Sequence, residues 1–121
     1  MAMGTNALVN ANFQGATLTG SQFQNMNLQG ANFKGAIITN ADFSGATLDH
    51  TCFQSADLTD ANLQFAIFKA TDLSCAHLIG AKFGPVMTIQ SSPDNIRTRF
   101  NYTTVDFVNF PINNWPSTYW A

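Results

Sequence analysis

Charge is scarce in this sequence. Only 10% of its 121 residues are Asp, Glu, Lys or Arg, against the usual ~25%. The five basic residues form no cluster, which excludes the electrostatic footprint of a nucleic-acid binder. There are two cysteines, Cys52 and Cys75. These are too few for a disulfide framework and are read as free thiols. No apolar run approaches the ~18 residues that mark a membrane span. The stretch from Met1 to Ala11 has neither a basic region nor an apolar segment, so it does not read as a signal peptide. A cytoplasmic location is the expectation. What is present is apolar material, 45% of the chain with eleven Phe. Asn, Gln, Thr and Ser fill the polar positions.

The apolar residues recur every fifth position. Leu8, Phe13, Leu18, Phe23, Leu28, Phe33, Ile38, Phe43, Leu48, Phe53, Leu58, Leu63, Phe68, Leu73, Leu78 and Phe83 form one unbroken series. Two residues before each the side chain is small: Ala11, Ala16, Ser21, Ala31, and so on through Thr51, Thr71, Ala76 and Ala81, with Asn6 and Met26 as exceptions. Neither standard period explains this. On a helix a step of five drifts by ~140°, given 3.6 residues per turn, and would place large residues on every side. A chain that turns a corner every five residues resolves the conflict. Each side then contributes one large and one small inward side chain, and four sides close a square coil. Residues twenty apart should stack: Leu8 with Leu28, Leu48 and Phe68; Phe13 with Phe33, Phe53 and Leu73; Leu18 with Ile38, Leu58 and Leu78; Phe23 with Phe43, Leu63 and Phe83.

Units such as Ala11-Asn12-Phe13-Gln14-Gly15 and Ala31-Asn32-Phe33-Lys34-Gly35 resemble the A-(N/D)-(L/F)-X-X signature of the pentapeptide-repeat family. The resemblance covers Asn6 to Pro85. It implies an all-β fold, a right-handed quadrilateral β-helix, here with about four regular coils, a degenerate final coil and an aromatic C-terminal cap.

The last residue of each unit sits at a corner. Asn10, Gly15, Gly20, Asn25, Gly30, Gly35, Asn40 and Gly45 accept positive φ readily. From His50 onward the series is Ser55, Asp60, Phe65, Ala70, Cys75, Gly80 and Pro85. On this ground the corners are expected to change backbone type near Leu48.

One domain is expected, with regular repeats over 6–85, an irregular excursion over 86–99, degenerate repeats over 100–114 and an aromatic tail over 115–121. A short helical turn is expected from Ser92 or Asp94. The resumed units are read with Tyr102, Phe107 and Ile112 at their centres. Repeat arrays need capped ends, so Met87 to Ala121 is expected to cover Leu78 and Phe83. In the alternative, Trp115, Tyr119 and Trp120 form a contact for a second copy or another protein.

No residue set reads as catalytic. Asp57 should lie beneath His77, but a smooth solenoid face offers neither a nucleophile nor a cleft. Asp72, not Cys75, should lie above Cys52, leaving Cys75 beyond bridging range. Lys82 should stack two coils above Asp42, and the charges read as a solvated surface. Metal-ligand spacing is absent, and no cofactor is expected. Ile37, Phe65, Ile67 and Ile79 fall on outward positions. Phe65 and Ile67 are either covered by the excursion or form a partner-binding patch. The function these observations imply is a non-enzymatic scaffold or protein-interaction module whose partner is an unidentified protein, with the C-terminal end as the contact for a homodimer. Nucleic acid and membrane are not expected partners. The resemblance supplies an alternative, since some family members protect DNA gyrase by imitating duplex DNA. Such members are long, strongly acidic dimers, whereas the formal net charge here is -2.

Overall fold

The computed structural model describes residues 7–84, 88–90 and 97–105. Backbone hydrogen bonding follows the five-residue unit. Asn12 pairs with Asn32, Thr17 with Ile37, Gln22 with Asp42 and Asn27 with Thr47, all in parallel, and the same offset of twenty continues through Asn62 and Lys82. The chain therefore passes four sides before it lies over itself. The described residues form no helix. Five short strands stand out along the ladder: β1 (Thr47–Asp49), β2 (Ile67–Lys69), β3 (His77–Leu78), β4 (Thr88–Gln90) and β5 (Thr104–Val105). They pair in the orders β1-β2-β4 and β3-β5.

The N–H groups of a unit can be accounted for one by one. In the unit around Phe33, Asn32 N–H reaches back to Ala11 C=O at 2.9 Å, while Phe33 and Gly35 N–H reach forward to Cys52 C=O at 2.7 Å and Gln54 C=O at 2.9 Å. Ala36 N–H closes the corner onto Phe33 C=O at 2.9 Å. The remaining donor, Lys34 N–H, is taken by the Oδ1 of Asn32 at 2.9 Å. The same local bond recurs at Asn12, Asn27, Asp42, Asp57, Asn62 and Asp72. Asn or Asp before the central residue thus satisfies the one amide that neither the coil-to-coil ladder nor the corner closure reaches.

Inside, central residues from Leu28 to Phe83 are fully buried, together with the Ala residues two positions before them. Leu8, Phe13 and Leu18, at the N-terminal end, are only partly buried. Phe rings stack along two columns that face each other across the coil, with the Leu18 column between them in sequence. Phe33 lies between Phe13 and Phe53 with centroids at 4.9 and 5.1 Å, and meets Phe23 and Phe43 edge-on at 5.6 and 5.7 Å. Both arrangements suit the aromatic quadrupole.

The corners do not change type near Leu48. His50, Ser55, Asp60, Phe65, Ala70 and Cys75 all have φ between 52° and 62°, the left-handed region that their side chains disfavour. Corner closure from residue i+3 to i continues at Thr51, Ala56, Ala61, Ala66, Ala76 and Ala81. With positive φ at the third residue these are type II geometry throughout. The ladder overrides residue preference. His50 N–H must meet Lys69 C=O and Ser55 N–H must meet Ser74 C=O, and only the left-handed corner aims them there.

The last coil is longer. Ile67 pairs with Thr88, twenty-one residues on, and Asp72 pairs with Arg99, twenty-seven on. β4 therefore lies within the stretch read from sequence as irregular. The resumed register also differs from that reading. Phe100 is the buried central residue above Leu73, and Val105 lies over Leu78. Tyr102, expected at a centre, is instead a corner with φ 58° and 84% exposure. A buried phenol needs a hydrogen-bond partner, whereas Phe100 needs none. The helical turn expected at Ser92 or Asp94 and the centres expected at Phe107 and Ile112 lie outside the described residues.

Candidate interaction surface

Along the outer faces each unit presents the side chain before the central residue and the two at the corner. These face residues are mostly Asn, Gln, Thr and Ser, and they bond along the coil and between coils. Thr39 Oγ1 donates to Thr19 Oγ1 at 3.2 Å, Asn32 Nδ2 to Gln14 Oε1 at 3.3 Å, and Gln24 bonds to Gln22. The resulting surface is short, self-bonded and rigid, with few long charged side chains to move.

Asp57 and His77 are ladder partners, but Asp57 Oδ1 is occupied by the N–H and hydroxyl of Thr59 at 3.1 and 2.6 Å. Asp72 pairs with Cys52, and both cysteines are free thiols. Asp42, Asn62 and Lys82 follow one another in a single column. Lys69 and Asp49 approach to 4.0 Å on a partly exposed face, a pair of little energetic weight. Among the described residues no group of His, Cys, Asp and Glu converges as metal ligands. No helix among them is long and apolar enough to cross a membrane.

Against this polar surface Phe65 stands out. It is 70% exposed and occupies a corner with φ 62°, in the column that holds Asn25 and Gly45 in the coils below. A bulky residue in left-handed conformation costs about 1–2 kcal/mol. Ile67 lies two residues on in β2, across the buried Ala66, and is half-buried between Thr47 and Thr88 of the neighbouring strands. Because Ile67 cannot accept a hydrogen bond, Lys69 N–H turns instead to Thr71 Oγ1 at 3.1 Å. Ile37 and Ile79 are also exposed, though less so than Phe65. Tyr102, which the sequence reading placed inside, is a second exposed aromatic on a different corner. Its signal in the sequence was the Thr98-Arg99-Phe100 triplet, since Thr98 continues the small-residue column of Thr51 and Thr71. Trp115, Tyr119 and Trp120 lie outside the described residues.

The family model described as pentapeptide repeats, with eight copies, matches residues 7–45, 27–64 and 51–84. No curated protein matches the chain. Among solved structures, a pentapeptide repeat protein of the Arabidopsis thaliana thylakoid lumen is 25% identical. The alignment covers 94% of this chain and 77% of that one, with a TM-score of 0.58. A pentapeptide repeat protein of Nostoc is 23% identical, covering 78% and 84% at a TM-score of 0.45. QnrB1, a plasmid-mediated fluoroquinolone resistance protein, is 20% identical, covering 84% of this chain but 51% of its own length at 0.47. The matched repeats span well over half the sequence and coincide with the coils traced by the backbone ladder, so the chain belongs to the pentapeptide-repeat family.

Proposed function

We propose that this protein is a non-enzymatic interaction module. It is a rigid, right-handed, four-sided rod of four regular coils and a wider fifth, and it binds another protein through apolar side chains at its corners and end. Phe65 carries this reading. A solvent-exposed aromatic in a strained backbone, at a position filled elsewhere in its column by Asn or Gly, contributes little to the fold and much to a contact. Ile67 extends the same patch, and Trp115, Tyr119 and Trp120 supply a second contact at the C-terminal end, where a further copy of the chain would join. The faces give no support to the DNA-imitating alternative, because among the described residues no two acidic side chains follow one another along a column.

Two measurements on one variant test the reading. Phe65→Gly relieves the left-handed strain of about 1–2 kcal/mol and adds ~0.5–1 kcal/mol of chain entropy in the unfolded state. Urea denaturation should therefore show stability unchanged or raised, by up to about 1.5 kcal/mol. In affinity capture from the native host, the same variant should lose a partner that the parent chain retains. If Phe65→Gly destabilises the fold and leaves capture intact, Phe65 is a structural residue and the proposal fails.

A further inference from the structure

One side of the rod differs from the other three. Its central residues are Leu18, Ile38, Leu58 and Leu78, and its outward side chains form two columns. Thr17, Ile37, Asp57, His77 and Thr104 follow one another in the first. Thr19, Thr39, Thr59 and Ile79 follow one another in the second, as the bonds from Asn40 N–H to Thr59 C=O and from Asp60 N–H to Ile79 C=O show. The other sides carry long, flexible side chains, such as Gln14 and Lys34, Gln24 and Lys82, or Gln29 and Lys69. Here every described residue of the two columns except Asp57 and His77 is β-branched, with few rotamers to lose on contact. Ile37 and Ile79 are exposed on this side, whereas Phe65 and Tyr102, the other exposed large hydrophobics among the described residues, stand at corners. The two polar exceptions are adjacent. Asp57 commits one carboxylate oxygen to Thr59. Its second oxygen and the exposed His77 ring have no partner among the described residues.

We infer that this side is a homodimer interface, in which two rods lie face to face and antiparallel. The complementary pair sets the register. A two-fold axis crossing the side between Asp57 and His77 inverts the second rod, so that Asp57 of each copy meets His77 of the other. The carboxylates and ring N–H groups of the two copies then alternate as acceptors and donors. Moving the axis by half a coil spacing would set Asp57 against Asp57 or His77 against His77. Parallel rods would set Asp57 against Thr59 and His77 against Ile79, covering both polar groups without matched partners. The antiparallel register also sets Ile79 against Thr59 and Ile37 against Thr104. Each of these contacts occurs twice, because a two-fold interface is isologous, and the assembly closes at two copies. One side of a short rod is a small area, which places the dimer in the weak, transient class, with Kd between about 1 μM and 1 mM. The interface uses neither Phe65 nor the C-terminal end.

The test is sedimentation velocity over a concentration series reaching about 1 mM, with variants that break and then restore the complementary pair. The parent chain should convert from monomer to dimer and go no further. His77→Asp sets carboxylates against each other across the contact and should weaken the dimer roughly tenfold or more. Its melting temperature should change little, because Asp in this position takes up the amide two residues on, as Asp57 and Asp72 do, which offsets the new charge beside Asp57. Asp57→His sets imidazoles against each other and should weaken the dimer similarly. Mixed in equal amounts, the two variants should form a heterodimer with an affinity near the parent's, since every acid again meets a histidine. Ile79→Lys leaves the charge pair alone and places on this side the residue that Lys34 and Lys69 supply at the same position of other units. It should abolish the dimer with the melting temperature unchanged. A chain that stays monomeric, a dimer indifferent to His77→Asp and Ile79→Lys, or folded variants that fail to restore each other would each overturn the inference.

Discussion

Phe33→Ala should destabilise the protein by about 3–5 kcal/mol, the largest loss expected from any single side chain. Phe33 is completely buried. Its ring is stacked above Phe13 and below Phe53, with Phe23 and Phe43 against its edges. Truncation opens a cavity whose walls are held by the backbone ladder, so the coils above and below cannot collapse into it. Each aromatic pair lost adds ~0.5–1.5 kcal/mol beyond the area effect. Urea denaturation followed by circular dichroism measures the cost. The same substitution at Phe13, which is only partly buried, should cost clearly less. Equal costs at the two positions would mean that the first coil is as tightly enclosed as the second, contrary to the burial described.

Thr71→Val is the second large effect, at about 2–3 kcal/mol. Valine keeps the shape and removes only the hydroxyl, and that hydroxyl holds a corner together. Thr71 is fully buried; its Oγ1 donates to Leu48 C=O at 2.6 Å and accepts Lys69 N–H at 3.1 Å. Its own N–H, which at other corners closes the turn, goes to Thr98 Oγ1 at 3.3 Å. Without the hydroxyl, Lys69 N–H loses the acceptor that Asn or Asp provides in other units. Thr51→Val is the natural comparison, since Thr51 Oγ1 makes one bond, to Leu28 C=O at 2.7 Å, and its turn is closed normally. Thermal or urea midpoints should fall further for Thr71→Val than for Thr51→Val. The reverse order would remove the special role given to this corner.

The sequence disclosed the fold through the register of its large residues. A strict step of five, with Ala or Thr two positions earlier, admits few backbones besides a coil with regular corners. The parallel pairing of Asn12 with Asn32 and of Asp42 with Asn62 follows from it. The corner conformations were not legible, because residues such as His50, Phe65 and Ala70 do not prefer positive φ. Their dihedrals are imposed by hydrogen bonds to a coil twenty residues away, and local propensity carries no trace of that. The last coil was misread for a related reason. Tyr102, Phe107 and Ile112 repeat every five residues, but so do Phe100 and Val105, and periodicity cannot choose between two series of equal spacing. The choice rests on Thr98 joining the buried Thr column and on the Tyr102 phenol reaching solvent. Of the candidate surface, the outward placement of Phe65 was readable from its position in the unit, whereas the backbone strain that makes it conspicuous was not.

The amide accounting has an electrical consequence. In each unit two N–H groups point toward the C-terminal end of the rod and one toward the N-terminal end, as Phe33, Gly35 and Asn32 show. Every unit therefore leaves about one uncancelled peptide dipole of ~3.5 D along the axis, where alternating strand directions would cancel it. Summed over successive sides, the rod is polarised lengthwise, with its positive pole at the C-terminal end. That field exists even though the side chains carry almost no net charge, and it favours anionic groups at one end and cationic groups at the other.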